Sequence, residues 1–428
     1  MLQFVMLLLL LPNSLDAHFP KPCTTDEALN TKTCCPEWEG SPCGVRAGRG
    51  ECDSYRTIQT TDYIDYREQW PFHFYHSLCR CHGNFDGFDC GLCKHGFKGH
   101  HCNITHTTER KEIHSLTEEE KTKFFKYLEY SKTNISSKYS ILTSNDTSIN
   151  STLKFINASL YDVYIWMHYY AAKPLKGTGR NVAHEGPAFP FWHRMFLLFF
   201  EREVREMTSD DSFFIPYWNW TKTDHCDICN NDYFGESNAT GLISPQSQFS
   251  KWKPICDKDN NSLGIICIQD LKESSILRNP GGDPTSNTLP TSSDVQKTIE
   301  VSEYDVREYN RSVKHSFRNT LEGYDVPQDF RQLNSAMHNL VHNYLNGTMC
   351  DVPTAVNDPI FMVHHSFVDK ILEEWMDAHP DATYPENSDT IPEGQKANDF
   401  MVPFFPLVQN KYFMNHSIAF GYRYADDY

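Results

Sequence analysis

The pattern of apolar and polar residues divides the chain into a turn-rich first part and a longer part with helical periodicity. From residue 18 to about residue 106, aliphatic runs are short, and Cys, Gly and turn-forming residues are frequent. Beyond residue 107, apolar residues recur every three to four positions between long polar loops, as in helices that bury one face. The pattern predicts a small Cys-rich domain over residues 18–106 and a mainly α domain over residues 107–428.

Four segments carry the helical pattern most clearly: Leu160–Lys173, His193–Met207, Phe330–Leu345 and Ile360–Ala378. Pro174 ends the first segment, and Pro359 suits the first turn of the fourth. In the second segment an apolar run gives way to alternating Glu and Arg, which predicts a helix buried at its start and exposed at its end. We expect these helices to form a four-helix bundle joined by long loops.

The N-terminus has the plan of a secretory signal peptide. An apolar stretch from Phe4 to Leu11 is followed by a polar run that ends at Ala17, so residues 1–17 are expected to be removed. Eleven Asn-x-Ser/Thr sequons agree with export of a glycoprotein: Asn103, Asn134, Asn145, Asn150, Asn157, Asn219, Asn238, Asn260, Asn310, Asn346 and Asn415. No apolar segment after residue 20 approaches the ~18–20 residues needed to cross a bilayer. The sequence therefore predicts a lumenal or secreted chain.

Cysteine usage supports the same compartment. Ten of the 15 cysteines lie within residues 23–102, and in an exported chain such a block predicts disulfide bonds rather than a metal site. The spacing within residues 79–102 resembles an epidermal-growth-factor-like (EGF-like) module, whose disulfides replace a hydrophobic core. Outside the block we expect disulfides Cys226–Cys229 and Cys256–Cys267, which leaves Cys350 unpaired.

Composition excludes some classes of function. Hydrophobic residues make up 39% of the chain and aromatic residues 14%, which is enough for a packed core. The formal net charge is −17, the wrong sign for a surface that binds phosphates, so nucleic acid is not an expected partner.

Histidines supply the candidate chemistry. Of the 20 histidines, six fall on or beside the predicted helices as two triplets: His168, His184 and His193, and His338, His342 and His365. Burying a neutral imidazole costs hydrogen bonds that a metal ion replaces, and three imidazoles per site suit copper or zinc. A hydrolytic zinc site of the His-Glu-x-x-His type is disfavoured, because His338 and His342 enclose Asn-Leu-Val. The triplets predict a binuclear centre inside the bundle.

Several motifs around these histidines resemble those of the tyrosinase family of type 3 copper proteins. They are Trp-Met-His-Tyr-Tyr at 166–170, His-Glu-Gly-Pro-Ala-Phe-x-x-Trp-His-Arg at 184–194, Ile-Pro-Tyr-Trp-Asn at 215–219, Ser-Phe-Arg-Asn-Thr-Leu-Glu-Gly at 316–323, Met-His-Asn-x-x-His at 337–342 and Asn-Asp-Pro-Ile-Phe-x-x-His-His at 357–365. The resemblance implies one copper ion on each triplet. Of the adjacent pair, the family pattern favours His365 over His364 as the ligand.

The resemblance also implies an activity and roles for further residues. In the family, two copper ions use dioxygen as co-substrate to hydroxylate monophenols such as tyrosine and to oxidise catechols such as DOPA to quinones for melanin. By position, Glu322 and Asn339 match a glutamate and an asparagine that hold a water near the metals. Asn343 and Ser366, beside ligands, are expected to shape substrate access.

The resemblance further implies a melanosomal location. In vertebrate members a membrane span follows the position of Tyr428, which implies an anchored protein if the chain is a fragment and a secreted one otherwise.

Two alternative functions remain open at the level of sequence. One is a tyrosinase-related protein, either a dopachrome tautomerase or a relative that binds zinc. The pair His364-His365 favours tyrosinase itself, since the related proteins usually have Leu-His there, whereas Gly186 and Ser366 resemble the related proteins. The other alternative is a type 3 copper protein that binds oxygen without catalysis.

Overall fold

The structure, a computed structural model, describes residues 17–55, 65–143, 154–175, 178–256, 267, 274–325, 335–386 and 388–425. Of the predicted signal peptide, residues 1–16 lie outside these ranges. The helices are α1 (Asp26–Thr31), α2 (Glu118–Thr133), α3 (Leu160–Ala172), α4 (Phe189–Thr208), α5 (Ser292–Ile299), α6 (Phe317–Glu322), α7 (Met337–Leu345) and α8 (Ile360–Ala378). None of the helices in these ranges has both the length and the hydropathy that a membrane span requires.

The strands are short and most lie in the N-terminal part. They are β1 (Ala17–Pro20), β2 (Thr33–Cys34), β3 (Glu37–Trp38), β4 (Ser41–Pro42), β5 (Gly50–Ser54), β6 (Ser77–Cys81), β7 (Phe85–Asp86), β8 (Leu92–Cys93), β9 (Phe97–Lys98), β10 (Ile104–Thr105), β11 (Thr108–Arg110), β12 (Ile135–Thr143), β13 (Lys154–Ser159) and β14 (Tyr422–Tyr424). β1, β12 and β13 form an antiparallel sheet against α3, where the Trp166 indole donates a hydrogen bond to Leu142 O (2.8 Å). The fold is mainly α, as predicted.

Two of the four predicted helices have nearly the bounds expected from sequence. α3 ends at Ala172, because Lys173 is extended ahead of Pro174. α8 spans Ile360–Ala378 as predicted, and the Asp358 carboxylate accepts a hydrogen bond from the Ile360 N–H at its first turn (3.0 Å).

The prediction for the start of α7 was wrong. Residues 330–334 of the predicted segment lie outside the described ranges, and Ser335 and Ala336 precede the helix. Ala336 is extended (φ −130°, ψ 178°), and its N–H donates to Gly323 O (3.0 Å). This bond holds the chain beside the end of α6, so α7 begins only at Met337.

The predicted start of α4 was also wrong, and its buried part extends further than predicted, although Glu206 in its last turn is exposed. The helix begins at Phe189, four residues before His193, with Pro190 in its first turn. Glu201, Arg202 and Glu203 are buried, with exposed fractions of 0%, 8% and 4%. Each is paired: Glu201 with Arg110 (2.9 Å), Arg202 with Asp86 (2.5 Å) and Glu203 with Lys138 (3.1 Å). Paired charges are tolerated inside a fold, whereas the sequence pattern carries no information on distant partners.

The disulfides match the expected arrangement. Seven bonds are present: Cys23–Cys34, Cys35–Cys52, Cys43–Cys79, Cys81–Cys90, Cys93–Cys102, Cys226–Cys229 and Cys256–Cys267. Cys350 is the free, exposed cysteine, as predicted. The Cys-rich part packs on the helical part through Arg67, which donates to Tyr170 O (2.9 Å) and Pro174 O (3.0 Å) near the end of α3. The domain boundary at residue 106 stays a prediction.

A buried ionic contact joins α4 to α8. Arg194 and Asp369 are both almost fully buried, and Arg194 Nε lies 2.5 Å from Asp369 Oδ1. Asp369 also accepts hydrogen bonds from the hydroxyls of Tyr422 and Tyr424 in β14 (2.6 Å each). Arg194 follows His193, and Asp369 is one turn beyond His365, so this contact fixes the two helices that carry these histidines.

Candidate metal centre

Three histidines from α3, α4 and the loop between them meet inside the protein. We call His168, His184 and His193 the first histidine group. One nitrogen of each ring lies within 4.8 Å of a nitrogen of the others, and all three side chains are buried. The structure thus brings together the first predicted triplet.

The ring nitrogens of the first group are oriented for a common ligand. His193 Nδ1 lies 2.8 Å from Phe189 O, and His168 Nδ1 lies 3.4 Å from Pro353 O. A carbonyl oxygen only accepts, so each Nδ1 carries the proton and each Nε2 presents a lone pair. Within the described part of the chain, Nε2 of His168, Nε2 of His193 and Nδ1 of His184 are buried without a hydrogen-bond partner. A metal ion would satisfy such nitrogens.

The second histidine group consists of His338 and His342, one turn apart on α7, and His365 on α8. His365 Nε2 lies 3.3 Å from His338 Nε2 and 3.4 Å from His342 Nε2. Two nitrogens bound to one ion at about 2.0–2.1 Å and a tetrahedral angle are about 3.3–3.4 Å apart. Both distances from His365 Nε2 therefore match the spacing of ligands to a single ion.

Hydrogen bonds within the second group itself do not explain this spacing. His342 Nδ1 donates to Met349 O (2.8 Å), and His338 Nδ1 donates to Asn339 Oδ1 (2.9 Å) and lies 3.2 Å from Glu322 O. Both Nε2 atoms then present lone pairs to His365 Nε2. A proton on His365 Nε2 would satisfy only one of them, whereas a metal ion satisfies all three. The residues present fit a metal ion.

Burial keeps the imidazoles neutral, which metal binding requires. It lowers the pKa of His193 to about 3 and that of His342 to about 4. Burial also lowers the pKa values of the other members well below the usual range; these are His168, His184, His338 and His365.

The two groups are neighbours. The rings of His193 and His365 are stacked with their centroids 4.2 Å apart. Phe361 packs beside both groups, with its ring centroid 4.1 Å from that of His365 and 5.0 Å from that of His168. The arrangement is that of a binuclear site enclosed by aromatic residues.

Glu322 lies against both groups. Its carboxylate accepts hydrogen bonds from the Glu185 N–H (2.7 Å), next to His184, and from Arg318 (3.1 Å), while its carbonyl faces His338. Burial raises the pKa of Glu322 to about 7, against the opposing effect of Arg318. The structure brings both Glu322 and Asn339 to the metal centre.

The two predicted access residues have other contacts. Asn343 donates to Ser335 Oγ (2.9 Å) and accepts from Cys350 (3.4 Å). Ser366 is buried, and its hydroxyl donates to Ile215 O (3.4 Å). Their role in substrate access stays a prediction.

Other residues that position the first group were missed by sequence reasoning. Gln395 donates to His184 O (2.8 Å) and accepts from the Ala188 N–H (3.1 Å), and Asn181 accepts from the His184 N–H (2.7 Å). Glu185 has a positive φ of 59°, which the bond to Glu322 holds in place. A polar residue in a loop gives no local signal for such contacts, and Gln395 is 211 positions from His184.

Comparisons with known proteins agree with this geometry. A family model described as the common central domain of tyrosinase matches residues 158–378, which include both histidine groups. A tyrosinase of Pelophylax lessonae is 39% identical over 97% of this chain and 83% of its own length, and one of Gallus gallus is 40% identical over 98% and 84%. A 5,6-dihydroxyindole-2-carboxylic acid oxidase of Bos taurus is 36% identical over 99% and 85%.

The fold has a match among solved structures. A mutant polyphenol oxidase of Thermothelomyces thermophila aligns with 75% of this chain and 89% of its own at a TM-score of 0.50 and 16% identity. The identity and coverage of the relatives, together with the matched central domain, show that the chain belongs to the tyrosinase family.

Proposed function

We propose that the first and second histidine groups each hold one copper ion and that the protein is a tyrosinase. It hydroxylates monophenols such as tyrosine at the ortho position and oxidises catechols such as DOPA to quinones, the precursors of melanin. The observation that carries the proposal is the pair of adjacent buried imidazole groups in a chain 39–40% identical to tyrosinases over almost its whole length.

The donor set suits copper. Each group offers imidazole nitrogens without a carboxylate, and imidazole is a favoured ligand of copper and zinc. Met349 O and Phe189 O fix the tautomers of His342 and His193, so each ring presents Nε2 without rearrangement. When bound, the copper pair supplies the redox chemistry by which one monophenol and one dioxygen give one o-quinone and one water, and two catechols and one dioxygen give two quinones and two waters.

The remaining residues position the substrate and its proton. A phenol has a pKa near 10 and must lose its proton to bind a metal at neutral pH. The Glu322 carboxylate is the proton acceptor best suited to this task, because it is buried, accepts from the Glu185 N–H next to His184, and is held by Arg318. Asn339 orients His338 through the 2.9 Å contact between its Oδ1 and His338 Nδ1. Phe361 and the surrounding aromatic rings exclude water.

The compartment follows from the disulfides and the relatives. Seven disulfides and similarity to animal tyrosinases support entry into the secretory pathway. We propose the melanosome as the destination, since melanin is the product expected of the reaction.

The occupancy of the sequons is expected to follow exposure. Asn219 is only 7% exposed, and its Oδ1 accepts from the hydroxyl of Thr221 (2.7 Å), so a glycan there is incompatible with the fold. Asn103, Asn157, Asn238 and Asn415 are exposed and have room for one. Glycopeptide mass spectrometry of protein secreted from animal cells is expected to find glycans on these four exposed sites and an unmodified Asn219. A glycan on Asn219 of the folded protein would contradict this.

The decisive test of the proposed function combines metal analysis with turnover. Purified protein reloaded with copper is expected to hold two ions per chain and to convert tyrosine to quinone with uptake of dioxygen. The same protein, stripped of metal and then reloaded with zinc instead of copper, is the matched control. It is expected not to oxidise tyrosine. Protein that holds two copper ions and leaves both tyrosine and DOPA unchanged would overturn the proposal.

The same assay separates the alternatives. A tautomerase converts dopachrome without consuming dioxygen and is active with zinc, whereas an oxygen carrier takes up dioxygen reversibly without oxidising a phenol. Dopachrome conversion without quinone formation from tyrosine would support the tautomerase. Reversible uptake of dioxygen without quinone formation would support the oxygen carrier.

A further inference from the structure

His364 is a buried histidine that the ligand assignment leaves without a role. It lies on α8 between Val363 and His365, its exposed fraction is 0%, and burial keeps it from water. Neither Nδ1 nor Nε2 has a hydrogen-bond partner in the described part of the chain. A buried polar atom without a partner is destabilising, so a ring with two such atoms at this position requires an explanation.

The ring of His364 faces the second histidine group. Its centroid lies 4.9 Å from that of His342 and 5.2 Å from that of His338, and it is stacked on His338 with an interplanar angle of 17°. One nitrogen of His364 lies within 4.8 Å of a nitrogen of each of His338, His342 and His365. Four imidazoles therefore surround a position for which three suffice.

Trp220 also lies near His364. The centroids of the two rings are 6.5 Å apart, and the Trp220 indole nitrogen is also buried without a partner in the described residues. A water between them would satisfy one nitrogen of His364 at most and would leave the other facing His338 and His342. The nitrogen on that side is explained by a metal ion rather than by protein groups.

We propose that His364 is a fourth imidazole donor of the second metal site, able to hold the ion there when His365 is absent. The proposal rests on the proposed function for the identity of the ion. Adjacent residues of a helix point about 100° apart, so His364 and His365 approach the ion from different sides, while His338 and His342 bind it from α7. Loss of His365 then leaves three imidazoles in place instead of two.

The test compares metal content among variants of the full chain. Wild type, His365→Ala, His364→Leu and the double variant are stripped of metal, reloaded with copper, and analysed for ions per chain and for affinity by chelator competition. Leucine fills the volume of His364 without offering a nitrogen, and the first histidine group is an internal control that retains its ion. Near-ultraviolet circular dichroism establishes that each variant is folded.

We expect two ions per chain in wild type, His364→Leu and His365→Ala, with affinity at the second site lowered about tenfold to hundredfold in His365→Ala. The double variant is expected to hold one ion. If His365→Ala holds one ion, as the double variant does, the proposal is wrong. This comparison decides the matter even if the double variant does not fold, because His365→Ala alone gives either two ions or one. Wild type with fewer than two ions would instead contradict the proposed function itself.

Discussion

Replacement of His193 by alanine is expected to abolish oxidation of both monophenols and catechols. His193 presents Nε2 to the first histidine group while Phe189 O holds its Nδ1, and its ring stacks on His365 of the second group at 4.2 Å. Loss of this ring removes a ligand of the first group and also the ring that packs against His365 of the second group. Outer-shell partners of metals typically contribute about 10–100-fold in activity, so the loss of a direct ligand is expected to exceed about 100-fold.

The measurement is copper content together with turnover of tyrosine and DOPA. The His193→Ala protein is expected to hold one copper ion instead of two. His379→Ala is a suitable control, because His379 follows α8, its ring stacks on Trp375 (4.8 Å), and it lies outside both histidine groups. This control is expected to retain both ions and turnover. A His193→Ala protein with two copper ions and unchanged turnover would refute the ligand assignment.

The helices that carry the site were predictable where local signals are complete. α8 has an apolar periodicity along its whole length, a proline ahead of it, and an Asp358 side chain that accepts the Ile360 N–H. α7 has the same periodicity, but its start depends on the bond from Ala336 to Gly323 O, a contact between segments that no local pattern reports. Element identity was therefore predictable, whereas this boundary was not.

Among the residues of the candidate site, some were likewise predictable from local sequence and others were not. His338 and His342 are four apart on one helix, so their common face follows from the helical repeat. His184 lies in a loop and is placed by Asn181 and Gln395, so only its resemblance to a known motif pointed to it. The role of His364 has no signal in sequence beyond its position beside His365, because burial and missing partners are properties of the folded chain.

Buried charges are the clearest failure of sequence reasoning. The Glu and Arg residues at the end of α4 have the composition of a solvated helix face, yet Glu201 is fully buried against Arg110. Arg110 belongs to β11, 91 positions earlier in the chain. A run of charged residues indicates an exposed helix face only when no oppositely charged residue from elsewhere in the chain pairs with it. Sequence alone does not show whether such a partner is present.

Replacement of Glu322 by glutamine is expected to lower hydroxylation of monophenols about 10–100-fold and oxidation of catechols much less. Glutamine keeps the volume of the side chain, but it cannot accept a proton. The two carboxylate oxygens of Glu322 accept separately, one from the Glu185 N–H and the other from Arg318, and glutamine has only one such oxygen. One of these contacts is therefore lost in the variant. A monophenol needs deprotonation and hydroxylation, whereas a catechol needs oxidation alone, so the ratio of the two activities isolates the contribution of the carboxylate.

Glu201→Gln is the matched control for this variant. Like Glu322, Glu201 is a fully buried glutamate that accepts from an arginine (Arg110, 2.9 Å) and from a backbone N–H (Ile215, 2.9 Å). It lies eight residues beyond His193, about 12 Å along α4, and outside both histidine groups. Both variants leave a buried arginine with a weaker partner and are expected to lose similar stability in thermal unfolding. Only Glu322→Gln is expected to change the ratio of monophenol to catechol turnover, and an equal fall of both activities in that variant would assign Glu322 a purely structural role.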